Sequence, residues 1–476
     1  MTNNPLPRIA FASATALALA AALGGCATFD AGKARAEHTE YFTNSVAALS
    51  RKLLAEPLSL RDAIGIAMTN NYEIRKADLD AELARLGRNQ AFSAFLPRVS
   101  ISAGYNNYAK DPMVSSQEFS TGEINIGMPL FMPSTWFLYS AARHGAAAGE
   151  LSAHYVRQAI TLQTTRDYCD ILVQQDLVKA LGAQLEAAKE NASRIKGLAD
   201  EGLVNGWESG QAQYLAVARQ VQLDQAKREL EVLDATFLSH LGLAPNAEFT
   251  LDGDTETAAP GFAPGTPLDE IVLGALETHP LLSIADRDVV AKEDGVRQAL
   301  CDFLPVVNVF GIRNWTGNDV MARSANWLNG FNAAWTVFEG FANISRYNAS
   351  KVELEKASLE RENTFLGIIV NIVAADAAWC DATDAARLSQ IALEVANEKA
   401  EDYDARNREG LLPLGDALDA RAQRDLAEIE AVKSRYQEQI ARTALEFAAG
   451  AIAVPEAPRA DSRPQPARRP AMTPRH

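Results

Sequence analysis

The spacing of apolar and polar positions changes several times along the chain, and the same order of changes occurs twice. Helical spacing from about residue 60 to 96 ends in Phe95-Leu96-Pro97, and helical spacing from about 268 to 304 ends in Phe303-Leu304-Pro305. Each proline is followed by alternating residues, which is typical of a strand with one exposed face.

Short matching motifs mark the same repeat. The opening Leu60-Arg61-Asp62-Ala63-Ile64 is echoed by Leu268-Asp269-Glu270-Ile271, and Glu201-Gly202-Leu203 recurs as Glu409-Gly410-Leu411, in both cases 208 residues further on. A constant offset over such a distance indicates an internal repeat of one structural unit.

Each unit is predicted to contain a helix, two strands, a long helix, a glycine turn and a shorter helix. The predicted strands are Arg98–Tyr108, Phe119–Phe131, Val306–Asn314 and Trp327–Phe338. The stretches from about Phe137 to Asp200 and from Ile344 to Arg408 contain no proline. At about 1.5 Å per residue, each long helix approaches ~95 Å, which does not fit inside a compact domain.

The shorter helices carry a coiled-coil signal. Leu223, Ala226, Leu230, Leu233 and Phe237 alternate three and four residues apart, as expected for a seam buried against a neighbouring helix. In each unit the two shorter helices together nearly match the long one, so they are predicted to stack end to end beside it. The predicted fold class is therefore mainly α with some β, as long packed helices and four strands.

The strands are the predicted membrane-spanning elements. The best apolar run, Gly367 to Ala375, is far shorter than the roughly 18 residues of a spanning helix. Strands can cross hydrocarbon only as a closed barrel, and four fall short of the roughly eight in the smallest barrels, so several chains must pool them. Alternation in Val99 to Ala103 and Glu123 to Met128 suits one lipid face and one water face. Two surface hairpins of a soluble protein are the alternative.

Composition and charge exclude several other functions. The chain has 476 residues, 47% of them hydrophobic, with a net charge of -16 and a pI near 5.0, which argues against nucleic acid as a partner. The six histidines show no metal-ligand spacing, and no P-loop or nucleophile elbow occurs. No catalysis, metal or cofactor is predicted.

The N-terminus is predicted to be an export signal. Arg8 precedes the uncharged run Ile9 to Gly24, and Leu23-Gly24-Gly25-Cys26 resembles the bacterial lipobox, which predicts lipidation of Cys26. An ordinary secretory signal is the alternative. The remaining cysteines, an odd number without disulfide spacing, are interpreted as small buried apolar residues: Cys169, Cys301 and Cys380.

The predicted domain organisation follows from these features. It comprises a signal peptide at 1–25, an N-terminal lipoprotein segment at 26–57, a first repeat at 58–250, a linker at 251–267, a second repeat at 268–450 and a Pro/Arg-rich tail at 451–476 that is predicted to be disordered.

This ordered set of motifs resembles the TolC-like outer-membrane efflux protein family from about Leu58 to Ala449. The resemblance rests on the opening Leu58-Ser59-Leu60-Arg61-Asp62-Ala63 with Asn70-Asn71, the repeated Phe-Leu-Pro, Pro129-Leu130-Phe131 and the Gly-Leu turns. It implies a homotrimer with a twelve-stranded barrel in the outer membrane and a helical tunnel in the periplasm. It also implies two partners, a periplasmic adaptor and an inner-membrane transporter.

The resemblance also assigns site residues. Gly202, Leu203, Gly410 and Leu411 would form adaptor-docking turns, although glycine is also an ordinary helix C-cap. Asp416 and Asp419 would line the periplasmic aperture, although acids also stabilise a helix N-terminus. The chain departs from the family at Leu412, where some members carry a basic latch residue, and in the atypical first turn from Val204 to Glu208.

The predicted function is a passive exit duct for small molecules expelled by the transporter through the adaptor. Two alternatives remain open at this stage: the outer-membrane component of one-step (type I) protein secretion, and a periplasmic coiled-coil structural lipoprotein without a barrel. Nothing in the sequence identifies the transported substrate.

Overall fold

The computed structural model describes residues 30–110, 114–253, 261–262, 265–321 and 323–454. The predicted signal peptide, Cys26 and residues 455–476 of the predicted tail lie outside the described residues.

The described chain forms ten α-helices and four strands in a repeated order. Helices α1 (Ala31–Tyr41) and α2 (Ala47–Leu53) are joined by a π-helical turn, Phe42–Val46. The first unit contains α3 (Leu60–Asn70), α4 (Tyr72–Ser93), β1 (Arg98–Asn107), β2 (Glu118–Phe131), α5 (Ser134–Asp200) and α6 (Gly206–His240). The second contains α7 (Leu268–Thr278), α8 (Pro280–Cys301), β3 (Val306–Thr316), β4 (Ala325–Ala334), α9 (Ala342–Arg408) and α10 (Leu414–Ala448).

Corresponding helices of the two units have identical lengths. The pairs α3/α7, α4/α8, α5/α9 and α6/α10 contain 11, 22, 67 and 35 residues respectively. The predicted internal repeat is thus confirmed. At about 1.5 Å per residue, α5 and α9 are each ~100 Å long.

The prediction of one continuous helix before each strand pair was wrong, because Asn71 and His279 interrupt it. Asn71 is extended (ψ 133°) and its Oδ1 accepts hydrogen bonds from the backbone N–H groups of Glu73 and Ile74, at 2.8 and 3.1 Å. His279 occupies the equivalent place, and its Nδ1 accepts from the Leu281 N–H at 3.1 Å. Each break is therefore a capped helix start.

The breaks are also where the shorter helices meet end to end. Asn71 Nδ2 donates to the carbonyl of His240 at the end of α6, at 2.7 Å. Gly242, just beyond α6, lies so close that an added Cβ would be 2.3 Å from the carbonyl oxygen of Asn70. Gly450 faces His279 in the same way. We call these contacts the first and second joints. The predicted end-to-end stacking, α4 with α6 along α5 and α8 with α10 along α9, is confirmed.

The buried side chains concentrate at the joints and along the helical seams. The cluster at the first joint includes Leu60, Ile64, Met68, Ile74, Tyr168, Phe237, Leu238 and Leu241, and the cluster at the second includes Ile271, Leu282, Ile368, Ile372 and Leu445. Between α5 and α6, Leu181 and Leu185 pack against Leu223 and Ala226, which confirms the predicted seam.

The four strands form one antiparallel sheet in the order β1-β2-β3-β4. The row Ile101, Ile124, Arg313 and Trp327 shows the register across all four strands. The two hairpins are thus neighbours in a single sheet, and β1 and β4 are its edges.

Helix α9 differs from the expectations in two ways. Cys169 and Cys301 are buried as predicted, but Cys380 on α9 is exposed in the single chain, so its predicted burial was wrong. Helix α9 also contains an 18-residue stretch apolar enough, by length and composition alone, to cross a membrane, and only 11% of that stretch is buried. Leu366 and Val370 are 61% and 63% exposed. One side of α9 is therefore apolar and uncovered within the chain.

Candidate functional site

The first predicted docking turn lies at the free end of the α5–α6 pair. Gly202 has φ +77°, and the Leu203 N–H donates to the carbonyl of Leu198 at 2.9 Å, which closes a Schellman-type helix end. Nothing lies within 4 Å of a Cβ placed on Gly202, so only its left-handed backbone requires glycine. Leu203 is 67% exposed.

The second predicted docking turn repeats this geometry at the end of the α9–α10 pair. Gly410 has φ +71°, and the Leu411 N–H donates to the carbonyl of Arg406 at 2.8 Å. Leu411 is 71% exposed. In both turns an exposed leucine therefore projects from a hydrogen-bonded helix end.

Two other turns of the same backbone type show that this exposure is not a property of the motif. The Leu243 N–H donates to the Leu238 carbonyl at 2.9 Å and the Ala451 N–H to the Glu446 carbonyl at 2.8 Å, with Gly242 and Gly450 also at positive φ. Leu243 is only 2% exposed because it lies in the core at the first joint. The tip turns lack this packing but carry the same apolar residue after the glycine.

The predicted aperture residues share one side of α10. Asp416 and Asp419 are exposed, whereas Ala417 and Ala420 are buried, 1% and 2% exposed. Neither carboxylate has an ion pair among the described residues. Three residues apart on a helix, the two acids form a small anionic patch one turn from the second tip turn.

A basic residue does brace this tip, but not at Leu412. Arg421 Nε on α10 contacts both carboxylate oxygens of Asp404 on α9, at 2.8 and 2.9 Å. The Leu412 carbonyl instead accepts a hydrogen bond from Asn407 Nδ2 at 2.8 Å. The second tip turn is therefore held within its own chain. At the first tip, Trp207 is 67% exposed beside Asn205, whose Nδ2 donates to Glu208 Oε1 at 3.1 Å.

At the opposite end of the long helices, the two faces of the sheet differ in composition. One face carries large apolar side chains that are 40–78% exposed: Val99, Ile101, Tyr105, Ile126, Met128, Val309, Trp315, Trp327 and Phe331. The other face is mainly polar and also carries the apolar Phe119, Phe310, Ile312 and Leu328; its polar residues are Ser100, Ser102, Asn106, Asn125, Asn308, Asn314, Asn326 and Asn332. We call these the apolar face and the polar face. The sequence alternation predicted this division for β1 and β2.

The carboxyl of Asp234 is half-buried, and its charge is not fully compensated by hydrogen bonds. Burial raises the pKa of the Asp234 carboxyl on α6 to about 6, with a further contribution from the nearby Glu231 carboxylate. Its Oδ1 is buried and has no hydrogen-bond partner. Sequence spacing gave no sign of this residue, because an acid among helical polar positions normally lies in solvent.

Comparison with known proteins shows a family match over most of the chain and one partial relative. The family model described as outer membrane efflux protein matches the chain twice, at residues 63–239 and 273–451. The outer membrane protein TolC of Vibrio cholerae is 23% identical over 157 residues, which span 32% of this chain and 35% of that protein, about a third of its length.

Solved structures share the fold over most of the chain. The CmeC outer membrane channel of Campylobacter jejuni is 20% identical with a TM-score of 0.71, covering 82% of this chain and 85% of that one. The open-state MtrE outer membrane channel of Neisseria gonorrhoeae is 16% identical with a TM-score of 0.69, covering 82% and 88%. At these identities the likeness concerns the fold alone.

Proposed function

The chain belongs to the outer membrane efflux protein family, whose members are channels and not enzymes, and from this premise we propose that three copies form the exit duct of a tripartite efflux system. In this proposal the duct is passive. An inner-membrane pump expels small molecules through a periplasmic adaptor, and the duct carries them across the outer membrane.

The observation that carries the proposal is the open four-stranded sheet with one apolar face. Strands β1 and β4 are both edges, and nine large apolar side chains of that face are exposed. Edge backbone groups facing hydrocarbon need partners, which only closure into a barrel supplies. An antiparallel β4 to β1 contact between copies continues the alternation of strand direction. Three copies then give twelve strands, within the range of known barrels.

The exposed side of α9 supports the same assembly. Its apolar side chains, including Leu366 and Val370, lie in a helix whose length extends far beyond the sheet, so a membrane cannot cover all of it. A neighbouring copy packing along the helix covers such a stripe. The helices would then enclose a tunnel continuous with the barrel.

We assign adaptor docking to the tip turns, with Leu203 and Leu411 as the apolar contacts. Support comes from the contrast with Leu243, which has the same backbone setting but is buried. Leucines on turns already closed by backbone hydrogen bonds lose little backbone freedom when a partner covers them, which favours binding. The exposed Trp207 extends the first contact.

We assign Asp416 and Asp419 to the periplasmic aperture. In a trimer they would present up to six carboxylates around the axis, a ring that attracts cations and repels anions. The absence of any ion pair for them within the described residues leaves the charges available for this role. Opening then requires α10 to move relative to its neighbours, against the Arg421–Asp404 contact.

Two further assignments depend on sequence alone. We propose that Cys26 is lipidated and anchors the N-terminal segment in the outer membrane, because it directly follows Leu23-Gly24-Gly25. We also propose the domain boundaries given above. Helix α1, five residues beyond Cys26, buries no side chain in the single chain, as suits a tether lying along a surface.

The experiment is reconstitution of the purified mature protein in planar lipid bilayers, with its mass measured in detergent. We expect a trimer with discrete conductance steps. A water-soluble monomer without current refutes the duct. Profiling what accumulates in cells lacking the gene separates efflux of small molecules from the type I secretion alternative, in which an exported protein is retained.

A further inference from the structure

An arginine lies on the apolar face of the sheet, held between two tryptophans. The carbon of the Arg313 guanidinium is 5.5 Å from the ring centroid of Trp315 and 5.3 Å from that of Trp327. Trp315 is two residues further along β3, and Trp327 is the direct partner of Arg313 on β4. We call these three residues the rim cluster. Both separations suit cation–π contact.

The rim cluster lies near the end of the sheet that is remote from the helices. Strand β3 ends at Thr316, three residues after Arg313, and β4 begins at Ala325, two residues before Trp327. At about 3.3 Å per residue, Arg313 is within ~10 Å of the strand ends. If the helices extend into the periplasm, as the proposed function requires, this end faces the outer leaflet.

The residues around Arg313 on this face are apolar or uncharged. Ile124 and Ile101 complete its row towards β1. Glu123 is next to Ile124 on β2, but its side chain belongs to the polar face. Glu118, on the apolar face, accepts a hydrogen bond from the Tyr105 hydroxyl at 2.8 Å. Arg313 has no carboxylate partner among the described residues.

A second copy does not supply the missing charge in this row. Closure of the barrel places a neighbouring β1 beside β4, so Trp327 separates Arg313 from the next subunit. The counter-ion must therefore approach from the membrane side of the sheet.

The depth of Arg313 in the bilayer indicates the chemical class of that counter-ion. An arginine on a lipid-facing strand is costly at the bilayer midplane and nearly neutral near the interface, where phosphate headgroups lie. Tryptophans are typical of the same interface. A guanidinium donates two parallel hydrogen bonds to a phosphate, and the flanking rings limit its motion.

We propose that the rim cluster is a binding site for a phosphate-bearing lipid headgroup of the outer leaflet, with Arg313 as the phosphate ligand and Trp315 and Trp327 as its supports. The site rests on the proposed barrel, and a trimer carries it three times. It anchors the barrel at a fixed depth and supplies a boundary lipid at each subunit.

The test compares Arg313→Gln with Arg98→Gln. Arg98 is on β1, pairs with Gly127 on the polar face and lies at the helix end of the sheet, so it controls for loss of one positive charge. Each protein is reconstituted with lipid A carrying its phosphates or with the dephosphorylated form, and the lipid retained per trimer is measured by native mass spectrometry.

We expect the wild type and Arg98→Gln to retain phosphorylated lipid A about tenfold more strongly than Arg313→Gln does, as for loss of one charge-assisted bidentate contact. Equal retention by Arg313→Gln, or equal retention of the dephosphorylated lipid by the wild type, overturns the site. Displacement by inorganic phosphate at equal concentration also overturns it, because the ligand is then the free anion.

Conductance measured on the same samples separates the two proposals. A conducting trimer of the wild type that retains no phosphorylated lipid overturns only the rim cluster. A monomer without conductance overturns the barrel itself. Arg313→Gln is expected to conduct like the wild type, because its side chain lies on the face away from the water-filled interior.

Discussion

The four glycine turns allow one substitution to be compared in different packing environments. Gly202, Gly242, Gly410 and Gly450 have φ between +69° and +77°, and each is followed by a residue whose N–H closes the helix end. A Cβ would meet nothing within 4 Å at the two tips. At Gly450 it would lie 3.0 Å from side-chain atoms of His279 and Pro280, and at Gly242 it would lie 2.3 Å from a backbone oxygen.

These distances predict how strongly each replacement of a glycine by alanine lowers the free energy of unfolding. The left-handed backbone alone costs about 1–2 kcal/mol per residue, which applies at every turn. Gly242→Ala adds a steric clash with the Asn70 backbone, and overpacking of this kind costs about 1–3 kcal/mol more. The shift also disturbs the hydrogen bond from Asn71 to His240. The destabilisation by Gly450→Ala is expected to lie between that of the tip variants and that of Gly242→Ala.

The measurement is thermal unfolding in detergent, followed by the helical circular dichroism signal. We expect the midpoint to fall least for Gly202→Ala and Gly410→Ala and most for Gly242→Ala. Gly197→Ala is the control, because Gly197 is inside α5 with no atom near its Cβ and should become slightly more stable through helix propensity. A tip variant as unstable as Gly242→Ala contradicts the view that the tips are free of packing.

Three further predictions address the tips, the aperture and the buried acid. Replacing both Leu203 and Leu411 by alanine should weaken adaptor binding, measured by calorimetry, at least tenfold, because burying each leucine contributes about 1.5–3 kcal/mol. The melting midpoint should stay unchanged. Unchanged affinity contradicts the docking role. Asp416→Asn with Asp419→Asn should lower cation selectivity in bilayers, read from the reversal potential, and an unaltered potential argues against the ring. Asp234→Asn should raise the melting midpoint at pH 7.5. The pKa of the Asp234 carboxyl is about 6 in the folded chain and 3.8 in the unfolded chain. The protonated carboxyl therefore contributes its full stability below pH 3.8, and this contribution is lost as pH rises through 6. The gain should vanish at pH 3.5, and a gain independent of pH would point to another cause.

Most of the architecture was predictable because it depends on periodicity over long windows. The absence of proline across α5 and α9, the strand alternation after each Phe-Leu-Pro and the constant offset are all features of many residues together. Strand β4 was predicted about four residues too far along, to Phe338, whereas it ends at Ala334. The apolar residues beyond it are exposed in the connection to α9, where apolar character without alternation does not indicate a strand.

The helix breaks were missed because their cause is tertiary. Asn71 and His279 interrupt apolar patterns that continue in phase on both sides, so the periodicity gives no sign of them. Pro280 was the available signal, since proline is favoured in the first turn of a helix and disfavoured inside it. At Asn71 the only signal was a residue type suited to capping, and its second contact, to His240, is 169 residues away.

The tip turns and the rim cluster show what sequence spacing can and cannot reveal about a site. The Gly-Leu pairs were visible because they repeat, yet Leu243 also follows a glycine in a helix-ending turn and is buried. Only the environment distinguishes them. Arg313 was overlooked because a single arginine in a strand is common, and its two tryptophans come from different strands.

The structure therefore suggests why the exposed apolar residues at the two ends of this molecule serve different kinds of contact. At the joints, Gly242 lies against the Asn70 backbone and Gly450 against the side chains of His279 and Pro280, so each turn is closely packed. At the tips the same turn carries leucines with nothing behind them, so a partner gains apolar burial without rearranging the chain. In the proposed barrel, the uncovered groups of the sheet face hydrocarbon, where unpaired backbone groups are costly, so assembly is required. In the proposed duct, binding at the tips would thus be reversible and assembly at the sheet permanent, as an exit duct with a removable adaptor requires.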